Sequence, residues 1–156
     1  MSALIIERVD VGPDRVEALV RANPRFARTS AVADLGARAR GLLPGLVRHT
    51  CENGSAHGII AELADTETAH LLEHVAVELM ALAGSPRTLR AETVWDFAAD
   101  GRDVYRVRLS YDVDLVALGA LREGLSVVDW LMGITAERPD VSAIVATLRQ
   151  ARGAEA

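Results

Sequence analysis

Lysine is absent from this chain of 156 residues, and all 17 of its basic residues are arginines. The arginines are spread along the sequence without a basic block, and 22 acidic residues give a net charge of −5. A nucleic-acid-binding surface needs clustered cations, so we expect no nucleic acid partner. The negative balance permits a cationic substrate but does not require one.

Long apolar runs and cysteines are also scarce. No apolar run approaches the roughly 20 residues that a membrane-spanning helix needs. The start, MSALIIERVD, has acidic residues where a signal peptide carries its apolar stretch. A single cysteine, Cys51, excludes an internal disulfide framework and suits a reducing compartment. We therefore expect a cytoplasmic protein that has no membrane partner.

Linkers, internal repeats and low-complexity segments are missing as well. Half of the residues are hydrophobic and a quarter are charged, while only 4% are aromatic. This composition is typical of a globular protein, and a chain of this length can bury a substantial core. We predict a single domain over residues 1–156. A homo-oligomer is compatible with the sequence but is not required by it.

Hydrophobic periodicity divides the chain into short strands and helices. Asp100-Gly101 is a strong hairpin signal between the last two predicted strands. The predicted fold is α+β, with an antiparallel or mixed sheet packed against helices in one compact domain. The predicted strands are 3–11, 46–51, 58–63, 88–97 and 103–112, and the predicted helices are 14–22, 29–43, 69–84, 113–132 and 139–150.

The sequence AHLLEHVAVELMALAG, residues 69–84, carries the main functional signal. It has the pattern of a buried amphipathic helix and places His70, Glu73 and His74 in the order H-x-x-E-H. One helical turn separates the two histidines, so their side chains point the same way. Two imidazoles so placed can bind one Zn²⁺, and Glu73 can act as the general base for an attacking water. The H-x-x-E-H order occurs among zinc-hydrolase signatures.

The positions of the other histidines decide between a metal site and a structural interpretation. Histidines on a half-buried helix are often only hydrogen-bonded, and five-residue patterns carry a false-positive risk. Here, however, all four histidines of the chain fall in one short interval. They lie together with the only cysteine, Cys51. This clustering favours a site.

A catalytic zinc needs a third protein ligand and one open position for water. Glu78 lies one further turn along the helix, but about 12 Å from His70 along the axis, at 1.5 Å per residue. His49 and Cys51, which share one face of a predicted strand, are the alternatives, since imidazole and thiolate both bind zinc well. Glu78 would then orient a ligand or bind a substrate cation. The choice among these three residues stays open, and each also has a purely structural interpretation.

Substrate contacts are predicted around the metal site. His57, in a turn-like segment, is expected at the rim of the pocket rather than on the metal. Arg48 is a candidate for binding a substrate carboxylate through two parallel hydrogen bonds, and so are Arg106 and Arg108. Exposed arginines on strands are more often only solvated.

The segment GLLPGLVRHTCENGSAHGIIAEL, followed by HLLEHVAVELMALAG, resembles the N-terminal domain of cyanophycin synthetase. That family has similar P-G-L, H-x-C and G-H-x-x-E-H-x-A-L-E-L-Q-x-L-A-G patterns, and the match covers about residues 41–84. The resemblance implies an α+β domain that acts, in some synthetases, as a zinc-dependent hydrolase. There it cuts the aspartate backbone of the β-Asp-Arg polymer into short chains that prime synthesis.

Some positions depart from the family pattern. His57-Gly58-Ile59 stands where the family has G-G-F, and Met80 replaces a common glutamine. These positions border the motif, so they bear on the substrate more than on metal binding. The sequence shows no ATP-using ligase domain, and we therefore expect that it does not polymerise anything by itself.

Three functions from different classes are compatible with these features. The first is a metallopeptidase-like zinc hydrolase that cleaves cyanophycin or a related amide-linked peptide. The second is a non-catalytic module that binds such a polymer or docks to a synthetase, with a structural or vestigial metal site. The third is a small zinc enzyme of other chemistry, for example on a thioether nucleoside. Water access to the metal separates the first from the second, and a groove that admits an extended peptide separates the first from the third.

Overall fold

The sheet begins with a hairpin of two strands. The computed structural model describes residues 1–50 and 58–154, and in it β1 (Leu4–Val11) pairs antiparallel with β2 (Arg15–Ala22). The strand predicted over 3–11 is confirmed. A turn containing glycine and proline reverses the chain between the two strands.

The helix predicted over 14–22 is wrong, because these residues form β2. Val16, Leu19 and Val20 have helical spacing, but the buried side chains of this segment alternate instead. Two of the alternating positions are alanines, which are depleted in strands and so hide the period of two in the sequence. Residues 15–22 pair with β1 on one side and with the strand Val104–Ser110 on the other, and this pairing stabilises the extended conformation. The buried residues of β2 are Val16, Ala18, Val20 and Ala22.

Two strands from the second half of the chain complete the sheet. β3 (Ala91–Val94) and β4 (Val104–Ser110) pair antiparallel with each other, and β4 also pairs with β2. The predicted hairpin is therefore confirmed, with strands shorter than predicted. The order of the strands is β1-β2-β4-β3, so β3 lies at one edge of the sheet.

Six α-helices occur in the described ranges. The helices predicted over 69–84, 113–132 and 139–150 are confirmed, and the helix predicted over 29–43 is confirmed only in part, because residues 29–31 form a 3₁₀ turn. None of the described helices is long and apolar enough to cross a membrane. The six are α1 (Leu35–Leu42), α2 (Ile59–Glu62), α3 (Thr68–Leu82), α4 (Phe97–Asp100), α5 (Asp114–Leu131) and α6 (Val141–Ala154).

The strands predicted over 46–51 and 58–63 are wrong wherever the structure describes these residues. Pro44–Arg48 is a 3₁₀ helix and the second segment contains α2, while Thr50 and Gly58 form only an isolated antiparallel bridge. A short apolar run does not distinguish a strand from one turn of buried helix. Pro44, the first residue of the 3₁₀ helix, favours the helical backbone.

The helices α3 and α5 pack against one face of the sheet and form the core with it. They approach closely at Gly124 of α5, where a Cβ would lie 2.9 Å from Cδ1 of Leu72. The opposite face of the sheet carries salt bridges from Glu17 to Arg106 and Arg108. The fold is therefore a single compact α+β domain with an antiparallel sheet, as predicted, and it places α3 beside the edge strand β3.

Candidate metal site

One turn of α3 brings the three residues of the H-x-x-E-H motif together. With 3.6 residues per turn, His70 and His74 project from the same side of the helix, and Glu73 lies beside them. Glu73 and His74 are buried and His70 is half-buried, so the group lies at the boundary between core and solvent. Thr66, just before the helix, contacts His70 Nδ1 through its hydroxyl at 3.0 Å and orients that ring.

Ligand atoms of these three side chains converge on one point. His70 Nε2 lies 3.1 Å from His74 Nε2, and His74 Nε2 lies 3.4 Å from Glu73 Oε2. Two ligand atoms that each lie about 2.1 Å from one zinc ion are separated by roughly 3–3.5 Å in tetrahedral geometry. Within the described part of the chain, His70, Glu73 and His74 are the group that could hold a metal ion.

Burial sets the protonation states of the group in a way that suits a cation. It lowers the pKa of His74 to about 3 and also lowers the pKa of His70. Both imidazoles are therefore neutral at neutral pH and have a lone pair for a metal. Burial raises the pKa of Glu73 to about 7, and the hydrogen bond from the Thr93 hydroxyl to Glu73 Oε1, at 2.9 Å, opposes this shift.

His49 lies behind His74 rather than among the converging atoms. Its Nδ1 is 2.9 Å from His74 Nδ1, and its Nε2 is 2.9 Å from Glu78 Oε1. If His74 Nε2 faces a metal, His74 Nδ1 carries the proton and donates to His49 Nδ1, and His49 Nε2–H donates to Glu78. One tautomer of His74 and one of His49 thus satisfy both hydrogen bonds, from His74 to His49 and from His49 to Glu78. Groups that bond a metal ligand from behind fix its orientation.

Glu78 ends this chain of hydrogen bonds inside the protein. Its carboxylate accepts two hydrogen bonds from the Arg87 guanidinium, at 2.7 and 3.2 Å, and its side chain is only 1% exposed. Burial raises the pKa of Glu78, but the hydrogen bonds from His49 and Arg87 outweigh burial and hold that pKa below its ordinary value. The backbone at Gly45 lies against the carboxylate, so that a Cβ there would be 2.1 Å from Glu78 Oε2.

A groove of about 750 Å³ opens the group to solvent. It extends from Arg48 and His49, past the H-x-x-E-H residues, to the exposed Trp95 beyond the end of β3. Several of its lining residues are exposed, so the cleft is not a closed cavity. The exposed lining residues are Arg48, Thr50, Arg87, Thr88, Arg90, Glu92 and Trp95.

The structure places the remaining predicted site residues as follows. Arg48 lines the groove, as a substrate-binding residue would. Arg106 and Arg108 project from the opposite face of the sheet, where Glu17 pairs with both, so they do not contact the groove. Cys51 and His57 lie outside the described residues, and their predicted roles stay predictions.

Sequence reasoning missed two residues that contact the motif group directly or through Glu78. Thr93 reaches Glu73 from β3, and Arg87 reaches Glu78 from the turn after α3. The Ser85-Pro86 turn signals a chain reversal that brings Arg87 back beside α3. No pattern in the sequence marks Thr93, because its contact arises only when β3 packs beside α3.

Comparison with protein families gives a match that agrees with this geometry. The model of the cyanophycin synthase-like N-terminal domain matches residues 20–133, which is more than two thirds of the chain. The matched range contains the whole candidate metal group, its hydrogen-bonded partners, all of β3 and β4, and the last residues of β2. A search among curated proteins returns no match. The chain therefore belongs to the family of cyanophycin synthase-like N-terminal domains.

Proposed function

We propose that this domain is a zinc-dependent hydrolase that cleaves the aspartate backbone of cyanophycin or of a related amide-linked peptide. The observation that carries the proposal is the convergence of His70 Nε2, His74 Nε2 and the Glu73 carboxylate at the floor of an open groove. A groove with exposed walls suits an extended chain better than a small nucleoside. The family to which the chain belongs links it to the β-Asp-Arg polymer.

His70 and His74 are the residues that would hold the metal. Neutral imidazole nitrogens are common zinc ligands, and zinc is the metal that we propose here. Since His49 is engaged with Glu78, Cys51 is our preferred candidate for a third protein ligand. Bound zinc supplies Lewis acidity, which polarises an amide carbonyl and activates water at neutral pH.

Glu73 is positioned to act as the general base. Its Oε1 is held by Thr93, and its Oε2 points toward His74 Nε2 at 3.4 Å. A carboxylate held this close to the two motif imidazoles is within reach of a water bound between them, and it can accept a proton from that water and return it. Glu73 takes a proton from the attacking water and delivers it to the nitrogen of the leaving amine as the amide bond breaks.

Replacement of Glu73 by glutamine tests the proposal. Glu73→Gln keeps the size of the side chain and the contact with Thr93 but removes the base, so zinc binding and fold are retained. General base assistance contributes about 10²–10⁴-fold to rate, and cleavage of the β-Asp-Arg polymer should fall by that factor. The measurements are zinc content and the release of short chains from purified polymer.

The control is Glu137→Gln, an exposed carboxylate far along the sequence from the groove, which should cleave like the unmodified protein. Equal activity in the Glu73 variant would remove this residue from the mechanism. An unmodified protein that binds both zinc and the polymer but cleaves no aspartyl polymer would instead identify a binding module.

A further inference from the structure

The outer edge of β3 presents backbone hydrogen-bonding groups beside the candidate metal group. The backbone N–H of Ser110 donates to the carbonyl of Arg90, which makes these two residues a hydrogen-bonded pair of the β3–β4 ladder. Such pairs alternate along an antiparallel ladder. The N–H and C=O groups of Ala91 and Thr93 therefore point away from β4. Among residues 1–50 and 58–154, no other strand pairs with this edge.

Thr93 connects this edge to the proposed chemistry. Its hydroxyl donates to Glu73 Oε1 at 2.9 Å, while its backbone groups point outward along the edge. An extended chain that pairs with Ala91 and Thr93 would therefore have its own backbone amides next to Glu73 and the two motif histidines. Addition of a strand to a free sheet edge is a general mode of peptide recognition, in which backbone bonds give affinity and flanking pockets give specificity.

The charges along the groove match the side groups of a β-Asp-Arg polymer. Each unit of that polymer carries a guanidinium and a free carboxylate on its arginine. Arg48 and Arg90 line the groove, are exposed and form no ion pair with any residue that the structure describes. Trp95, 52% exposed at the other end, is braced by the rings of Phe97 and Tyr105 at 6.3 Å. Arginines suit carboxylates, and an exposed indole face suits a guanidinium.

We propose that the β-Asp-Arg polymer binds in extended form as an added strand along the outer edge of β3, with its side-group carboxylates on Arg48 and Arg90 and a guanidinium over Trp95. The identity of the ligand rests on the proposed function. The position of the ligand rests on the direction of the backbone groups at Ala91 and Thr93.

The test is binding of a short, fluorescently labelled β-Asp-Arg oligomer to zinc-loaded protein that carries Glu73→Gln, measured by fluorescence anisotropy. Because Glu73→Gln removes the proposed general base, the oligomer stays intact and the assay measures binding alone. Ala91→Pro removes one outward N–H without touching the ladder to β4, and proline is tolerated at edge positions whose N–H faces solvent. Binding should weaken about tenfold, the upper range for one backbone hydrogen bond.

The matched control is Val11→Pro, on the opposite edge strand. Gly12 N donates to Arg15 O at 2.8 Å, so the alternating ladder gives Val11 an outward N–H as well. This variant should bind the oligomer like its parent. If Ala91→Pro does not fold, an oligomer with N-methylated backbone amides replaces it, compared with one methylated only at its terminal cap.

Charge is tested in the same assay. Arg90→Gln should weaken binding several-fold and reduce its dependence on salt, whereas Arg40→Gln, an exposed arginine on α1 away from the groove, should change neither. Unchanged binding in Ala91→Pro, or to the N-methylated oligomer, would overturn the edge-strand inference, and so would absence of oligomer binding to the parent. Edge-dependent binding without any cleavage by the unmodified protein would overturn the proposed hydrolysis and leave the inference standing.

Discussion

His74 joins the candidate metal group to a buried chain of hydrogen bonds. Its Nε2 lies among the converging ligand atoms, and its Nδ1 contacts His49, which in turn contacts Glu78. Arg87 holds the far end of this chain from the wall of the groove. The orientation of one imidazole therefore depends on residues from three separate parts of the sequence.

The first prediction concerns metal content. We expect about one zinc per chain, as in other mononuclear sites, and loss of that zinc in His70→Ala and in His74→Ala, because each removes one of the two converging nitrogens. His57→Ala should retain zinc and serves as the comparison. Metal analysis after dialysis measures the result. A protein that stays metal-free after addition of zinc would contradict the assignment of the group.

The second prediction concerns the residues behind His74. His49→Ala removes the acceptor for His74 Nδ1–H and leaves the ring free to turn, so zinc affinity should fall about 10–100-fold. Glu78→Gln should produce a loss in the same range, since it acts through His49. Competition with a chromophoric chelator measures the affinities.

A double variant provides the control for this second prediction. If Glu78 acts only through His49, the combined loss in His49→Ala/Glu78→Gln should be close to the larger single loss rather than to the product of the two losses. Thermal unfolding of the metal-free variants shows whether a loss reflects the site or the fold. Independent, multiplicative effects would show that the two residues do not act in series.

At the scale of elements, the site depends on contact between the 3₁₀ helix Pro44–Arg48 and α3. Gly45 lies against the Glu78 carboxylate, and a Cβ there would meet Oε2 at 2.1 Å, Cδ at 2.7 Å and Oε1 at 2.9 Å. The carboxylate cannot move aside without loss of its bonds to His49 and Arg87. A side chain at this position therefore separates the two elements.

The third prediction follows from this contact. Gly45→Ala should destabilise the metal-free protein by about 1–3 kcal/mol, as overpacking does in well-packed interiors, and should also weaken zinc binding. Gly41→Ala on α1 is the control, since no atom of the described residues outside the local helix backbone lies within 4 Å of its added Cβ. There alanine should stabilise slightly, by up to about 1 kcal/mol, through helix propensity. Denaturant unfolding measures both, and equal stability of the two variants would contradict the packing argument.

The elements differ in how far the sequence predicts them. α3 has enough turns for its period of apolar residues to be unambiguous, and Gly84 after it adopts a φ of 107°, as a glycine that ends a helix commonly does. β2 is short and carries alanines at two buried positions, so its period of two is not visible in the sequence. The segment Pro44–Arg48 has too few residues for any period, and it packs against both α1 and α3.

For the whole molecule, the candidate metal ligands are predictable from local sequence, whereas the residues that contact them from other elements are not. His70, Glu73 and His74 lie on one helix, so local spacing alone predicts their convergence. Thr93 contacts Glu73 only because β3 packs beside α3, and Arg87 contacts Glu78 because the chain reverses after α3. Residue patterns within one element therefore predict the candidate ligands, whereas the groups that orient them depend on tertiary structure.

Arg152 of the last helix contacts several separate parts of the domain. Arg152 of α6 donates to Asp112 after β4, at 2.8 Å, to Ser85 Oγ at 2.8 Å, and to the carbonyl of Ala83 at the end of α3, at 2.9 Å. Ser85 Oγ also donates to Asp112. These bonds join α6, the end of α3 and the end of β4, so they link all layers of the fold at one point.

The final prediction concerns the dependence of stability on pH. The hydrogen bond from Arg152 holds the pKa of Asp112 below its ordinary value of 3.8. Because the folded-state pKa is depressed, the stabilisation is present above the unfolded value and is lost as the pH falls through the folded value. Asp112→Asn should lower the melting temperature at neutral pH by roughly 2–4 °C and make the acid side of the stability profile flatter.

Asp14→Asn, an exposed carboxylate in the β1–β2 turn, is the control and should follow the unmodified protein. Parallel acid profiles for the Asp112 variant and the unmodified protein, measured by thermal unfolding of the metal-free forms, would show that this contact does not stabilise the domain.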